Sequence, residues 1–259
     1  INNFLWGLHK QELTIIGARP GNCKSVLAVQ LAWDMAKQGR GVYFMSLEMT
    51  APRIIERIFS NEYKVDNAEL WRGAIKHDQA VRDKYLKFKE QIKPMRLVIS
   101  DMIGRTEADI DSIMKAFSTV YPDVVIIDHL NEVSGGVNKN DVIGNYLSKV
   151  REMAVRKDCA IVLCCQVNRT SRSDDDKKPQ LHQLKGSGDI EQKADSVILL
   201  HYPKMYSETE DPNALEIFIS KNRNGATGFG RLYIHPQYSR ISDDGAIFKG
   251  ETKEPVKSE

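Results

Sequence analysis

The sequence predicts an α/β protein: a mostly parallel central sheet flanked by helices, with an antiparallel C-terminal hairpin. Three observations predict it. Short apolar runs recur without polar alternation, as strands buried on both faces do. Helical patterns fill several gaps between the early runs, as parallel crossovers require. The late runs follow one another closely, which suits antiparallel pairing.

Taken in order, strand-like runs lie at 13–16, 42–47, 97–100, 124–128, 160–166, 196–201 and 215–220. Helical periodicity covers 25–38, 51–60, 79–91, 107–118 and 141–157. Residues 215–220 and 231–234, separated by a turn-rich stretch from Lys221 to Gly228, form the hairpin that closes the sheet edge. Two polar loops, 134–141 and 168–188, each follow a strand and so emerge at the carboxyl end of the sheet, where open parallel sheets bind ligands.

At 259 residues the chain is long enough for one sizeable core, expected over 11–249, with a charged flexible tail at 250–259. Net charge is +2 from 37 basic and 35 acidic residues, so nucleic-acid binding, if present, rests on a local patch rather than a global field. The longest apolar stretches are far shorter than a membrane span and no secretory signal opens the chain, so a cytoplasmic location is expected. Four cysteines show neither metal-ligand spacing nor a disulfide framework, and three lie in or beside an apolar strand, which makes them core residues. The chain starts at Ile1, which suggests a piece of a longer protein, and Phe4, Leu5, Trp6 and Leu8 make an unusually apolar start.

The segment Gly17, Ala18, Arg19, Pro20, Gly21, Asn22, Cys23, Lys24, Ser25 joins the first strand to the first helix and reads as a phosphate-binding loop. Backbone N–H groups at a helix N-terminus favour an anion. Lys24 would lie against the terminal phosphates of ATP, and the Ser25 hydroxyl would hold Mg²⁺. The pattern wants glycine before the lysine. Cys23 stands there instead, and if its φ is positive it carries strain of about 1 to 3 kcal/mol.

Val124 to Asp128 is an apolar strand ending in a carboxylate, the form of the second Mg²⁺-organising element, although an Asp there could simply cap the next loop. Glu48, just past the second strand, could orient or deprotonate an attacking water, or be a solvent-exposed glutamate before a helix. Gln166 ends its strand where an amide could touch the γ-phosphate and the following loop, or be a satisfied polar residue. His129 is read as a packed histidine, or one that supports a neighbouring site residue, rather than a ligand, and has no catalytic role.

Together with residues 46–49, Gln166 to Arg169, Gly186 to Asp195 and Lys221 to Gly225, these segments occur in the order found in DnaB-type hexameric replicative helicases. The sequence resembles the C-terminal RecA-like P-loop NTPase domain of that family, and around Asp128, His129 and Leu130 it is also similar to phage helicase-primase relatives. The resemblance implies a homo-oligomeric, hexameric ring with ATP between neighbouring copies, Lys221 and Arg223 reaching the adjacent γ-phosphate as sensor and arginine finger, and residues 1–10 as the end of an interdomain linker. It implies that both polar loops grip single-stranded DNA, with Arg169, Lys185, Gly186, Ser187 and Gly188 in contact. Family members usually carry Arg-Glu where this chain has Lys185 and Gly186, and Arg169 read alone is an ordinary solvated loop residue. A primase and a loader are implied as partners, and no membrane. The reading is a helicase motor moving 5′ to 3′ on single-stranded DNA. Its alternative is a nucleotide- and DNA-binding ring that Cys23 leaves without efficient hydrolysis. A recombinase-like or clock-type ATPase is disfavoured by residues 186–195 and 221–225.

Overall fold

The structure, a computed structural model, describes residues 7–101, 121–129, 139–167, 178–184 and 187–249. Among the described residues nine strands form one sheet: β1 (Leu13–Ala18), β2 (Val42–Ser46), β3 (Leu97–Asp101), β4 (Val124–Asp128), β5 (Ala160–Gln166), β6 (Ser196–His201), β7 (Ala214–Asn222), β8 (Gly228–His235) and β9 (Arg240–Lys249). Their spatial order is β3-β2-β4-β5-β1-β6-β7-β8-β9. The first six in that order pair in parallel and the last three antiparallel, as the sequence predicts. The expected helix at 107–118 and the tail at 250–259 lie outside the described residues.

Alternate residues of the parallel strands supply two cores. On one face Ile16, Phe44, Ile126, Val162 and Ile198 pack under α1 (Lys24–Lys37), α2 (Ala51–Tyr63) and α5 (Gln79–Ile92). On the other, Ile15, Met45, Ile127, Leu163 and Leu199 pack under α6 (Lys139–Lys157) and α7 (Ser187–Lys193). Both faces are dry, which is why the runs show no polar alternation. Two short helices, α3 (Asn67–Trp71) and α4 (Ala74–His77), link α2 to α5. Asp66 and Asp78 cap α3 and α5 by accepting from backbone N–H groups of their first turns.

The pairing register fixes the functional end. Ala18 lies opposite Gln166 and Ser46 opposite Asp128, so the carboxyl ends of β1, β2, β4 and β5 open on the same side. β9 is a strand that the hairpin reading lacks: residues 240–249 carry Asp243, Asp244 and Gly245, turn-like residues tolerated because this edge strand pairs on one side only. Among the described residues no helix is long and apolar enough to cross a membrane.

Candidate functional site

Between β1 and α1 the chain makes a tight loop held by two left-handed residues, Gly21 (φ 79°) and Cys23 (φ 63°, ψ 14°). Glycine adopts that backbone freely and cysteine does not, so the strain condition attached to Cys23 is met. Counting back from Lys24 places the opening position of the loop pattern at Ala18, one residue past Gly17. Gly17 lies inside β1, and its bare Cα has another purpose: a Cβ there would come within 2.6 Å of both Leu184 Cδ2 and Leu199 Cδ2. It is a packing glycine, a correction to its reading as part of the phosphate turn.

Asn22 is the anchor of the loop. Its side-chain Nδ2 donates to Pro20 O at 3.1 Å and to the Tyr206 hydroxyl at 2.9 Å, and its Oδ1 accepts from the Tyr202 N–H at 2.7 Å. Its backbone N–H donates to Arg19 O at 3.1 Å and is thereby spent within the turn. These bonds bind the loop to the segment after β6.

Beyond the loop lies a cavity of about 460 Å³ walled by Arg19, Lys24, Ser25, Glu48, Arg57 and His129, with Gln166 at its side. At its floor Lys24 Nζ donates to Asp128 Oδ1 at 3.0 Å, and both side chains are largely withdrawn from solvent. Glu48 is placed by its turn, in which the Leu47 N–H donates to Asp128 O and the Met49 N–H to Ser46 Oγ, and its Oε2 lies 3.2 Å from His129 Nδ1. His129 is buried and packed as expected. A larger cavity, about 850 Å³, opens near Leu31 and Met35 at the far half of α1 and shares no wall with the loop.

Arg57 is a residue that motif reading misses. It reaches the cavity from α2; burial lowers its guanidinium from the ordinary arginine value, while the charges of Asp128 and Glu48 act in the opposite direction. The sequence signal was the Arg53/Arg57 pair at helical spacing directly after Glu48. Burial also pushes the Cys23 thiol up to about 12, so it is neutral at physiological pH.

Lys221 and Arg223 lie at the opposite end of the sheet. Arg223 donates to Asp195 Oδ1 at 2.7 Å beside the first residue of β1, and Lys221 donates to Glu191 O and, at 2.6 Å, to Ala194 O at the end of α7. With six residues in β1, the two ends are about 20 Å apart at the usual strand rise. Of the predicted DNA contacts, Arg169, Lys185 and Gly186 lie outside the described residues. Ser187 and Gly188 open α7.

As oxygen donors, the Ser25 hydroxyl and the Asp128 carboxylate flanking Lys24 suit a hard cation such as Mg²⁺, which keeps most of its shell as water and phosphate. Among the described residues no group of three or more His, Cys, Asp or Glu could hold a metal ion, so a cation here depends on the phosphates as well.

A probable plasmid replicative DNA helicase of Chlamydia psittaci is 29% identical over 227 residues, covering 85% of this chain and 48% of that protein. The replicative DNA helicase DnaB of Leifsonia xyli subsp. xyli is 30% identical over 248 residues, covering 93% of this chain and 54% of that protein. The chain thus spans about half the length of the curated relatives it matches. The solved structure of a DnaB-like replicative helicase, described with its interactions with primase, superposes with a TM-score of 0.84 at 23% identity over 93% of this chain and 59% of that one. A second solved structure, of an ATPase domain, gives 0.82 at 24% identity over 92% of this chain and 86% of that one. These likenesses show the RecA-like fold. The family model described as the DnaB-like helicase C terminal domain matches residues 1–243, and the chain belongs to that family.

Proposed function

We propose that this chain is the motor domain of a replicative DNA helicase, coupling Mg-ATP hydrolysis at the interfaces of a hexameric ring to 5′-to-3′ translocation on single-stranded DNA and duplex unwinding. The observation that carries it is the division of the machinery. The phosphate loop and Glu48 occupy the carboxyl end of the sheet, while Lys221 and Arg223 occupy the amino end, beyond reach of their own copy's loop. A neighbouring copy can bring the two sets together. In this reading residues 11–249 form the motor, 1–10 the end of a linker and 250–259 a tail. A primase, a loader and a cytoplasmic location belong to the same proposal.

The residues divide the work as follows. Backbone N–H groups at the start of α1 receive the phosphates, and Lys24 turns from Asp128 toward them as their negative charge arrives. Ser25 and Asp128 would hold Mg²⁺, which would supply positive charge against the phosphate oxygens. Glu48, beside His129, takes the proton of the attacking water. Gln166 contacts the γ-phosphate and passes its presence to the loop after β5. Arg223 of the next copy stabilises the charge that develops during transfer, a role worth about 10³- to 10⁵-fold in rate. Arg169, Lys185 and the Gly186 to Gly188 segment track the DNA backbone.

The left-handed backbone at Cys23 favours a second reading, a ring that binds nucleotide and DNA without efficient turnover. DNA-stimulated ATPase assays on this chain and on Cys23→Gly separate the two. Turnover in the native chain supports the motor; turnover only in the glycine variant supports the second reading; none in either removes the motor.

A further inference from the structure

Asp195 is the last residue before β6, buried at the amino end of the sheet, with both carboxylate oxygens engaged. Oδ2 accepts from the Leu13 N–H at 2.9 Å and from Arg151 Nη1, and Oδ1 accepts from Arg223 Nη1 at 2.7 Å. The backbone repeats the tie, since the Arg223 N–H donates to Asp195 O and the Asp195 N–H to Leu13 O, each at 2.9 Å. A buried carboxylate shared by two guanidinium groups is costly to desolvate and rigid once satisfied. Arg223 spends one of its five donors on it, and its side chain remains 47% exposed, so the rest of the fork faces outward.

The helices behind Asp195 are locked to it. Arg151, on α6, also donates to Lys193 O at 2.8 Å, and Lys193, the last residue of α7, donates to Gly144 O on α6 at 2.6 Å. Gly144 is tight against this contact, because a Cβ there would stand 2.9 Å from Asp189 Oδ1. Lys221 closes the end of α7 by donating to Glu191 O and Ala194 O.

We propose that Asp195, held in turn by Arg151, is the positioning residue that presents Arg223 to the neighbouring copy, making α6, α7 and the two cations at the amino end of the sheet one rigid block. The inference rests on the reading of Arg223 as a residue acting in trans. Weakening the Asp195 hold leaves nucleotide binding intact, since the phosphate loop lies about 20 Å away, and lowers the rate of the chemical step through loss of orientation.

The test uses Asp195→Asn, which keeps an acceptor for the Leu13 N–H, and Arg151→Met, which removes the support from behind, with Arg151→Lys as the conservative variant. Each is first shown to assemble and to melt as the parent does. Asp195→Asn and Arg151→Met are expected to lower kcat for ATP hydrolysis about 10- to 100-fold with KM for ATP within about twofold, as losses of orienting contacts do, and Arg151→Lys to recover part of the rate. Asp195→Asn mixed with Lys24→Ala should regain turnover, because a Lys24→Ala copy still offers a well-held Arg223 to its neighbour's intact loop. A native kcat in assembled Asp195→Asn and Arg151→Met, alongside an inactive Arg223→Ala, would overturn the positioning role and leave the in-trans reading standing. Full activity in Arg223→Ala overturns both. Failure of Asp195→Asn to complement Lys24→Ala in rings where Arg223→Ala succeeds would place Asp195 at its own nucleotide site and refute the inference.

Discussion

Cys23 concentrates the residue-scale physics. Its left-handed φ costs about 1 kcal/mol or more, and although Cys23 is only half-buried, the desolvation of its thiol pushes ionisation from 9.0 up to about 12. Because the folded thiol resists ionisation, its contribution is fully present below pH 9 and is lost as the unfolded chain's thiol ionises above it, at up to about 1.4 kcal/mol per pH unit until about pH 12. Cys23→Gly should therefore be nearly neutral at pH 7.5, where strain relief is offset by the greater freedom of glycine in the unfolded chain. The variant should gain on the native chain as pH rises from 9 to 10.5. Urea unfolding at pH 7.5 and 10.5 checks this; an equal gap at both pH values would mean that the thiol is solvated. The same neutrality predicts slow alkylation of Cys23 by iodoacetamide at pH 7.5, slower than in the urea-unfolded chain.

At the scale of elements, the outer layer over α1 is an aromatic cluster: Trp33 stands 5.6 Å from Phe88, and Phe59 5.5 Å from Phe88 and 5.3 Å from Tyr85. Phe88 is the most deeply buried residue of α5, which docks through it together with Val81, Tyr85 and Ile92. Phe88→Ala is expected to cost about 3 to 5 kcal/mol, read as a lower urea midpoint, with the ATP site little changed because the cluster lies behind α1. The central strands were legible in the sequence because burial on both faces forces unbroken apolar runs such as Val124 to Ile127 and Ala160 to Cys165. The short helices α3 and α4 were not, since a five- and a four-residue helix present too little period to detect. β9 was hidden by the charges that blunt an edge.

For the whole molecule, the legible part of the site is the part written locally. Lys24, Ser25 and Asp128 follow strand ends and could be placed from the pattern around them, whereas Arg57 and Asp195 act through contacts between segments far apart in sequence, and Asp195 resembles any polar residue before a strand until Arg151 and Arg223 are seen on it. Gly17 shows the reverse error, a motif-like glycine whose purpose is to admit Leu184 and Leu199. The separation of the two charged sets by the length of β1 carries the last prediction. If hydrolysis needs Arg223 from a neighbour, turnover per chain must depend on assembly, while binding of a fluorescent ATP analogue to the phosphate loop need not. Dilution through the assembly range, followed by sedimentation velocity, should lower ATPase activity per chain in step with loss of the ring and leave the analogue's affinity within a few fold. Arg223→Ala should show the low turnover of the dissociated protein at every concentration. Constant turnover per chain across a demonstrated transition to monomers would mean that each copy completes its own site, and would overturn the reading of Arg223 as a residue acting in trans.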